Sequence, residues 1–213
     1  MKIFILVDNL NSWALPHAKR LVKKLKSNHE VYLVHDQNKI KNGDIAIFLS
    51  CEKIVKPNIL KKNDHNLVPH ASFLPKGKGW SPLTWQILEG KNNIPITLFE
   101  AGEKVDDGVI YDQKIINFEG HELLGEMQEV LGKKINKMII NFLVKYPDIK
   151  GIKQKGKESF YKRRYPKDSQ LDINKNIIKQ FNLFRIVNNE KYPAFFEYLG
   201  YTYTLKIEKK LIK

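Results

Sequence analysis

The order in which short apolar runs recur limits this chain's fold more than any other feature. Lys2–Val7 is a continuous β-branched and aromatic run that ends at a charge, the pattern of a fully buried strand. Asn11-Ser12 then offers caps, and a helix is expected from about Trp13 to Lys26. Pro16 falls in its first turn, where a missing amide hydrogen costs little. Glu30–Val34 reads as a second strand, Asp44–Ser50 as a third and Asn66–Val68 as a short fourth. This strand–helix–strand rhythm predicts a parallel sheet with helices on its faces. Its functional loops should lie past the carboxyl ends of the strands. Val68–Pro82 is one such loop, followed by a short helix near Leu83–Glu89 and a strand at Ile94–Phe99.

His121–Tyr146 carries Leu124, Met127, Leu131, Ile135, Met138 and Phe142 at three- and four-residue steps, so it reads as a long helix with one buried face. A first domain spanning residues 1–150 is expected to close there. The polar stretch Gly151-Ile152-Lys153-Gln154-Lys155-Gly156-Lys157 reads as a linker or a solvent-facing loop. The remaining residues, 151–213, offer a short helix at Ile177–Phe184 and strand material at Glu197–Ile207. That is too little for a large separate core, so this extension is predicted to pack on the first domain.

Hydrophobic residues make up 42% of the 213, enough to bury a core, which argues against a disordered tail protein. The longest apolar stretches, Ile3–Val7 and Ile45–Ser50, fall far short of the roughly 20 residues a membrane span needs. Met1–Asp8 lacks a small-residue cleavage site, unlike a signal peptide. One cysteine, Cys51, cannot form an internal disulfide, so a reducing, cytoplasmic setting is the default expectation. The formal charge is +14, and residues 151–213 hold 15 basic against 6 acidic residues. An anionic partner should meet that segment. A lysine-rich surface that only solvates the chain is the plain alternative.

The densest cluster of unusual residues runs from Asn66 to Pro82, a strand end passing into a loop stiffened by three prolines, with His70 placed where the strand gives out. A second cluster, Val105-Asp106-Asp107-Gly108-Val109-Ile110-Tyr111, reads by itself as a hairpin turn, because Asp-Gly tolerates positive φ. A carboxylate beside an imidazole fixes the ring's tautomer and raises its proton affinity, which suits acyl transfer near neutral pH. His65, His70 and Asp64 match no common metal-ligand spacing, so no metal site is expected.

Together these clusters resemble the formyltransferase family that uses 10-formyltetrahydrofolate. His70-Ala71-Ser72-Phe73-Leu74-Pro75, with Gly79 and Pro82 after it, is similar to His-x-Ser-Leu-Leu-Pro-x-x-x-Gly-x-x-Pro, and Asp106-Asp107-Gly108-Val109-Ile110 resembles Asp-x-Gly-x-Ile. The order and the spacing agree over about 45 residues. The resemblance implies an α/β, Rossmann-like formyltransferase domain with a mostly parallel sheet, plus a small α+β carboxyl-terminal extension. It implies 10-formyltetrahydrofolate as co-substrate, with Ser50, Leu74, Pro75, Val105 and Asp106 beside it. It also gives His70 and Asp106 catalytic roles, in which His70 stabilises a tetrahedral oxyanion and Asp106 orients His70 and helps to move the proton. The family's asparagine belongs to an Asn-x-His pattern, yet this chain has Val68 at that position. Asn66 is taken as the replacement, which requires the backbone to bulge or turn at Val68-Pro69.

The segment Tyr161-Lys162-Arg163-Arg164-Tyr165-Pro166-Lys167-Asp168-Ser169 looks like the Arg-Arg-x-Pro-x-Asp-Ser segment of sugar-modifying formyltransferases, and Lys76–Trp85 looks most like the short enzymes of bacterial amino-sugar, pseudaminic-acid-type pathways. The implied acceptor is a 4-amino sugar on UDP, dTDP or GDP. Lys78, Arg163 and Arg164 are candidates for its diphosphate, and Trp13 and Trp80 for stacking. The extension is smaller than the carboxyl-terminal barrel of methionyl-tRNA formyltransferases, which disfavours tRNA. A tRNA-directed enzyme and a non-catalytic nucleic-acid-binding relative, the latter suggested by Phe160–Tyr165, stay as alternatives. Sugar formyltransferases of this kind are often homodimers.

Overall fold

The computed structural model describes residues 1–212. The β-branched run at the start forms β1 (Lys2–Leu6), and α1 (Leu15–Leu25) follows with Pro16 in its first turn. Then come β2 (Glu30–Val34), β3 (Gly43–Phe48), the single turn α2 (Pro57–Leu60), β4 (Asn63–His70) and the two-residue β5 (Lys78–Gly79). After these lie α3 (Pro82–Leu88), β6 (Asn93–Glu100), β7 (Ile110–Asn117) and the 22-residue α4 (Leu124–Lys145). The extension supplies β8 (Phe160–Tyr161), α5 (Phe181–Ile186) and the hairpin β9 (Ala194–Tyr198) and β10 (Tyr201–Leu205).

Six strands form one sheet in the order β2-β1-β3-β4-β6-β7. The pairings among β2, β1, β3 and β4 are parallel, whereas β6 runs antiparallel to β4 and to β7. The sheet is therefore mixed and mostly parallel. Alternation along the strands divides the core. Ile3, Ile5, Ile45 and Ile47 face α1 and α4, while Phe4, Leu6, Ala46 and Phe48 pack with Ile40 and Ile59 on the other side. No helix among the described residues is long and apolar enough to cross a membrane.

β4 corrects one expectation. It runs unbroken through Val68-Pro69, with Val68 opposite Phe99 and Pro69 opposite Leu98, and the register shift nearby lies in the β6–β7 pairing, where Tyr111 is the extra residue. The Asn66 carbonyl accepts from the Ala101 amide, so even-numbered residues of β4 direct their main-chain groups toward β6. The amide hydrogen that Pro69 lacks would point the other way, toward β3, whose pairing with β4 stops at Leu67. The proline costs no ladder bond there, and the strand has no reason to break.

Residues 151–157, expected as a linker or a solvent-facing loop, are mostly exposed, yet they and the residues up to 161 are tied to the strands beside them. Ile152 and Ile110 exchange main-chain hydrogen bonds of 2.8 Å, and β8 pairs with β5.

Candidate active site

His70 ends β4, and the turns after β1 and β3 reach the same edge of the sheet. The Asp8 carboxylate, just past β1, accepts the amides of Glu52 and Lys53 at 2.9–3.0 Å and so ties the two turns together. Cys51 lies between them, half-buried, and burial with the nearby Asp8 charge pushes its thiol up to about 12. A thiol held neutral in this way is no nucleophile.

The His70 Nε2 lies 2.8 Å from the Gly77 carbonyl oxygen and 3.7 Å from Asp106 Oδ2. A carbonyl can only accept, so Nε2 carries the proton and Nδ1 is left to accept or, once protonated, to donate. Asp106 sits at φ +52°, and its Oδ2 also accepts the Gly79 amide at 2.8 Å. Gly79 is fixed by a close approach, because a Cβ there would meet the Tyr161 carbonyl oxygen at 2.6 Å. His70 and Asp106, 36 positions apart in sequence, are thus brought together as the paired motifs imply.

Asn66 is not brought there. Its Nδ2 donates to the Leu60 carbonyl at 2.9 Å, and along a regular strand it stands about 13 Å of rise from His70. Val68, on the same face and two residues nearer, packs against the apolar cluster of Phe4, Leu6, Ala46 and Phe48. An aliphatic side chain thus fills the position two before the histidine. Asn66→Ala is expected to leave turnover within about threefold of the parent and to cost about 1 kcal/mol of stability, the usual worth of one hydrogen bond. Steady-state rates and thermal melts measure both. A hundredfold slower enzyme with an unchanged melt would put the amide back in the chemistry.

Two of the cations proposed for a diphosphate are already committed. Lys78 is 2% exposed, and its ammonium lies 2.8 Å from Asp107 Oδ1 and 2.7 Å from Glu158 Oε1. Burial opposes its charge, but the two carboxylates outweigh this and raise its proton affinity, while the Lys78 hydrogen bond holds the Asp107 carboxyl below the usual range. Arg164 donates to the carbonyls of Ile186 and Asp168 and to Ser169 Oγ, pinning the extension to itself. Burial lowers its proton affinity. A sequence shows a cation but not whether its charge is already answered. Arg163 is also paired, with Glu52 at 3.1 Å, but both side chains of that pair face solvent, and the guanidinium stacks at 4.6 Å over Trp80. Trp80 is itself 37% exposed, whereas Trp13 packs against the core with its ring edge-on to His17.

Of the residues implied for folate, Ser50 is exposed at φ +53° just past β3, and Val105 is exposed on the loop between β6 and β7. Leu74 is buried and joined to Pro75 by a cis peptide. Val68, Cys51 and Ala101, from β4, the β3 turn and the start of the Asp106 loop, each pack partly buried against one apolar cluster, which makes the ground there an apolar floor. Such a floor suits a flat heteroaromatic ring, so the residues present fit a folate. His65 faces away from His70, edge-on to Tyr111, Phe142 and Tyr146. Among the described residues no three or more His, Cys, Asp or Glu side chains are grouped to hold a metal.

Sequence reasoning gave no role to Gln154, in the supposed linker, or to Glu158 and Ser159 just after it, and it missed the main-chain pairing of Tyr161. Ser159 Oγ accepts the Gly77 amide at 2.9 Å, and the Tyr161 carbonyl accepts the Trp80 amide at 3.1 Å. The one available signal was Ser159-Phe160-Tyr161, a strand-forming tripeptide among lysines.

Residues 14–143 match the formyl transferase family. The chain belongs to that family. It is a family of enzymes, and its common chemistry is transfer of a one-carbon formyl group. The formyltransferase chain is 36% identical over 134 residues to methionyl-tRNA formyltransferase of Thermosipho melanesiensis, a match over 63% of this chain and 44% of the relative. It therefore spans less than half of that relative's length. Methionyl-tRNA formyltransferase from Clostridium thermocellum superposes with a TM-score of 0.85 at 22% identity, over 99% of this chain and 94% of that one. A sugar N-formyltransferase from a Shewanella species gives 0.76 at 14% identity, over 100% and 99%. HypX from Aquifex aeolicus, solved in complex with tetrahydrofolic acid, gives 0.73 at 19% identity, over 97% and 37%. At such identities the likeness to the solved structures is one of fold.

Proposed function

We propose that this protein transfers a formyl group from 10-formyltetrahydrofolate to the amino group of a nucleotide-linked 4-amino sugar. The observation that carries the acceptor class is the half-exposed Arg163 guanidinium stacked on Trp80 at the rim. A ring and a cation side by side suit a nucleoside diphosphate, whose base or sugar stacks while its phosphates pair with the guanidinium. The fold shared with a sugar N-formyltransferase and with a tetrahydrofolate-bound protein supports the same reading.

When bound, the folate supplies the formyl carbon. The acceptor nitrogen forms a new bond to that carbon, the bond to the folate nitrogen breaks, and one proton passes from the acceptor nitrogen to the departing one. His70 stabilises the negative charge that develops on the formyl oxygen, and Asp106 holds the ring in orientation and carries the proton between the two nitrogens. With Val68 in the strand, no side-chain amide from β4 shares this work.

A tRNA acceptor is the second reading, favoured by the likeness to methionyl-tRNA formyltransferases and by the basic residues of the extension. Folate release followed optically against UDP-, dTDP- and GDP-4-amino sugars, with charged initiator tRNA in a parallel arm, separates the two. Turnover is expected with at least one sugar. Formylation of the tRNA with no turnover on any sugar would overturn the assignment.

A further inference from the structure

Asp106 is held at both ends, and its main chain is held from far away in sequence. Gln154 Nε2 lies 2.8 Å from the Asp106 carbonyl oxygen and 2.9 Å from that of Gly108. We propose that Gln154 is a positioning residue for formyl transfer: its amide fixes the chain reversal that presents the Asp106 carboxylate to His70. The inference rests on the reading of the site given above.

The orientation of the amide is forced. Nε2 has two hydrogens and meets two carbonyls, whereas the flipped amide would set an oxygen against two oxygens. Among the described residues no other side chain donates to either carbonyl. Gln154 is itself fixed, since Ile152 is paired with Ile110 two residues before it, and Glu158 and Ser159 are bonded to Lys78 and Gly77 after it. Asp106 is a non-glycine residue at positive φ, a conformation that persists only where its surroundings impose it. Two contacts impose it here, Gly79 on the carboxylate and Gln154 on the main chain. Without Gln154, Asp106 can relax toward negative φ, and its carboxylate then turns away from the imidazole.

Gln154→Glu keeps the shape and removes both donors, and Gln154→Ala removes the side chain, so the pair covers the case in which one variant folds poorly. Lys153→Ala, an exposed neighbour, is the control. Three quantities are read on the full chain: kcat and KM for the acceptor, amide hydrogen exchange over residues 101–109 without ligand, and the melting temperature. We expect kcat to fall about ten- to hundredfold, the scale of a small misplacement of a catalytic group, with KM changed less than about threefold. Exchange over 101–109 should quicken by about tenfold while the melt moves only a few degrees. Normal kcat in both variants, whatever the exchange, overturns the proposal, as does a fall in kcat with exchange unchanged. A parent protein that formylates no acceptor defeats the formyl-transfer reading instead, and the exchange arm still decides whether Gln154 orders the Asp106 loop.

Discussion

His70→Ala is expected to lower the rate of formyl transfer by about 10²–10³-fold, the usual consequence of removing one donor from an oxyanion site, while the melting temperature stays within a few degrees. The imidazole is buried at the end of β4, where it bonds one main-chain carbonyl, and the strand's pairing with β6 does not depend on it. Asp106→Asn makes the sharper comparison. An asparagine oxygen still accepts the Gly79 amide, and asparagine tolerates positive φ, so the loop keeps its shape and only the charge facing His70 is lost. A hundredfold or greater loss is expected in this variant too. Steady-state rates with thermal melts check both, and near-normal turnover in either would remove that residue from its role.

Gly108→Ala should cost stability and rate together. Gly108 is not required for its φ. A Cβ there would fall inside the contact radius of the Glu100 carbonyl oxygen, where the loop crosses back over its own strand. Relieving the overlap means moving backbone, at roughly 1–3 kcal/mol, or a fall in melting temperature of about 3–10 °C for a chain of this size. The displaced backbone lies two residues from Asp106, and a shift of about 1 Å there is worth about a hundredfold in rate. A variant with parental melting and parental turnover would mean that the crossing is looser than its geometry shows.

Much of the fold was legible because burial writes itself into side-chain periodicity. The double-sided apolar run of β1, the full span of β2 and the three- and four-residue steps of α4 all survive in the structure. β4 was read too short because Asn63-Asp64-His65 is polar and Pro69 looks like an ending. The segment 151–161 was illegible for a different reason. It has no core face of its own, and much of its hold on the site is main-chain pairing, which leaves little trace in residue type. At the site, His70 and Asp106 were named because two motifs in order resemble those of one family, and the fold brings the two side chains to 3.7 Å. Asn66 stood in for a missing residue by nearness in sequence, and strand geometry does not honour that.

The Asp106 loop is anchored well inside its ends. Glu100 Oε1 accepts the Asn66 amide, and its Oε2 accepts the Tyr111 hydroxyl at 2.8 Å, so one carboxylate at the end of β6 ties that strand to both its neighbours, β4 and β7. The Ala101 amide bonds the Asn66 carbonyl, the Val109 carbonyl accepts the Glu100 amide, and Asp106 and Gly108 are bound to Gln154. Among the described residues, what is left without such ties is Gly102 to Val105, the stretch that carries the exposed valine. The span free to reshape itself around a bound molecule is therefore four residues long, a loop tip, and the Asp106 carboxylate stands outside it.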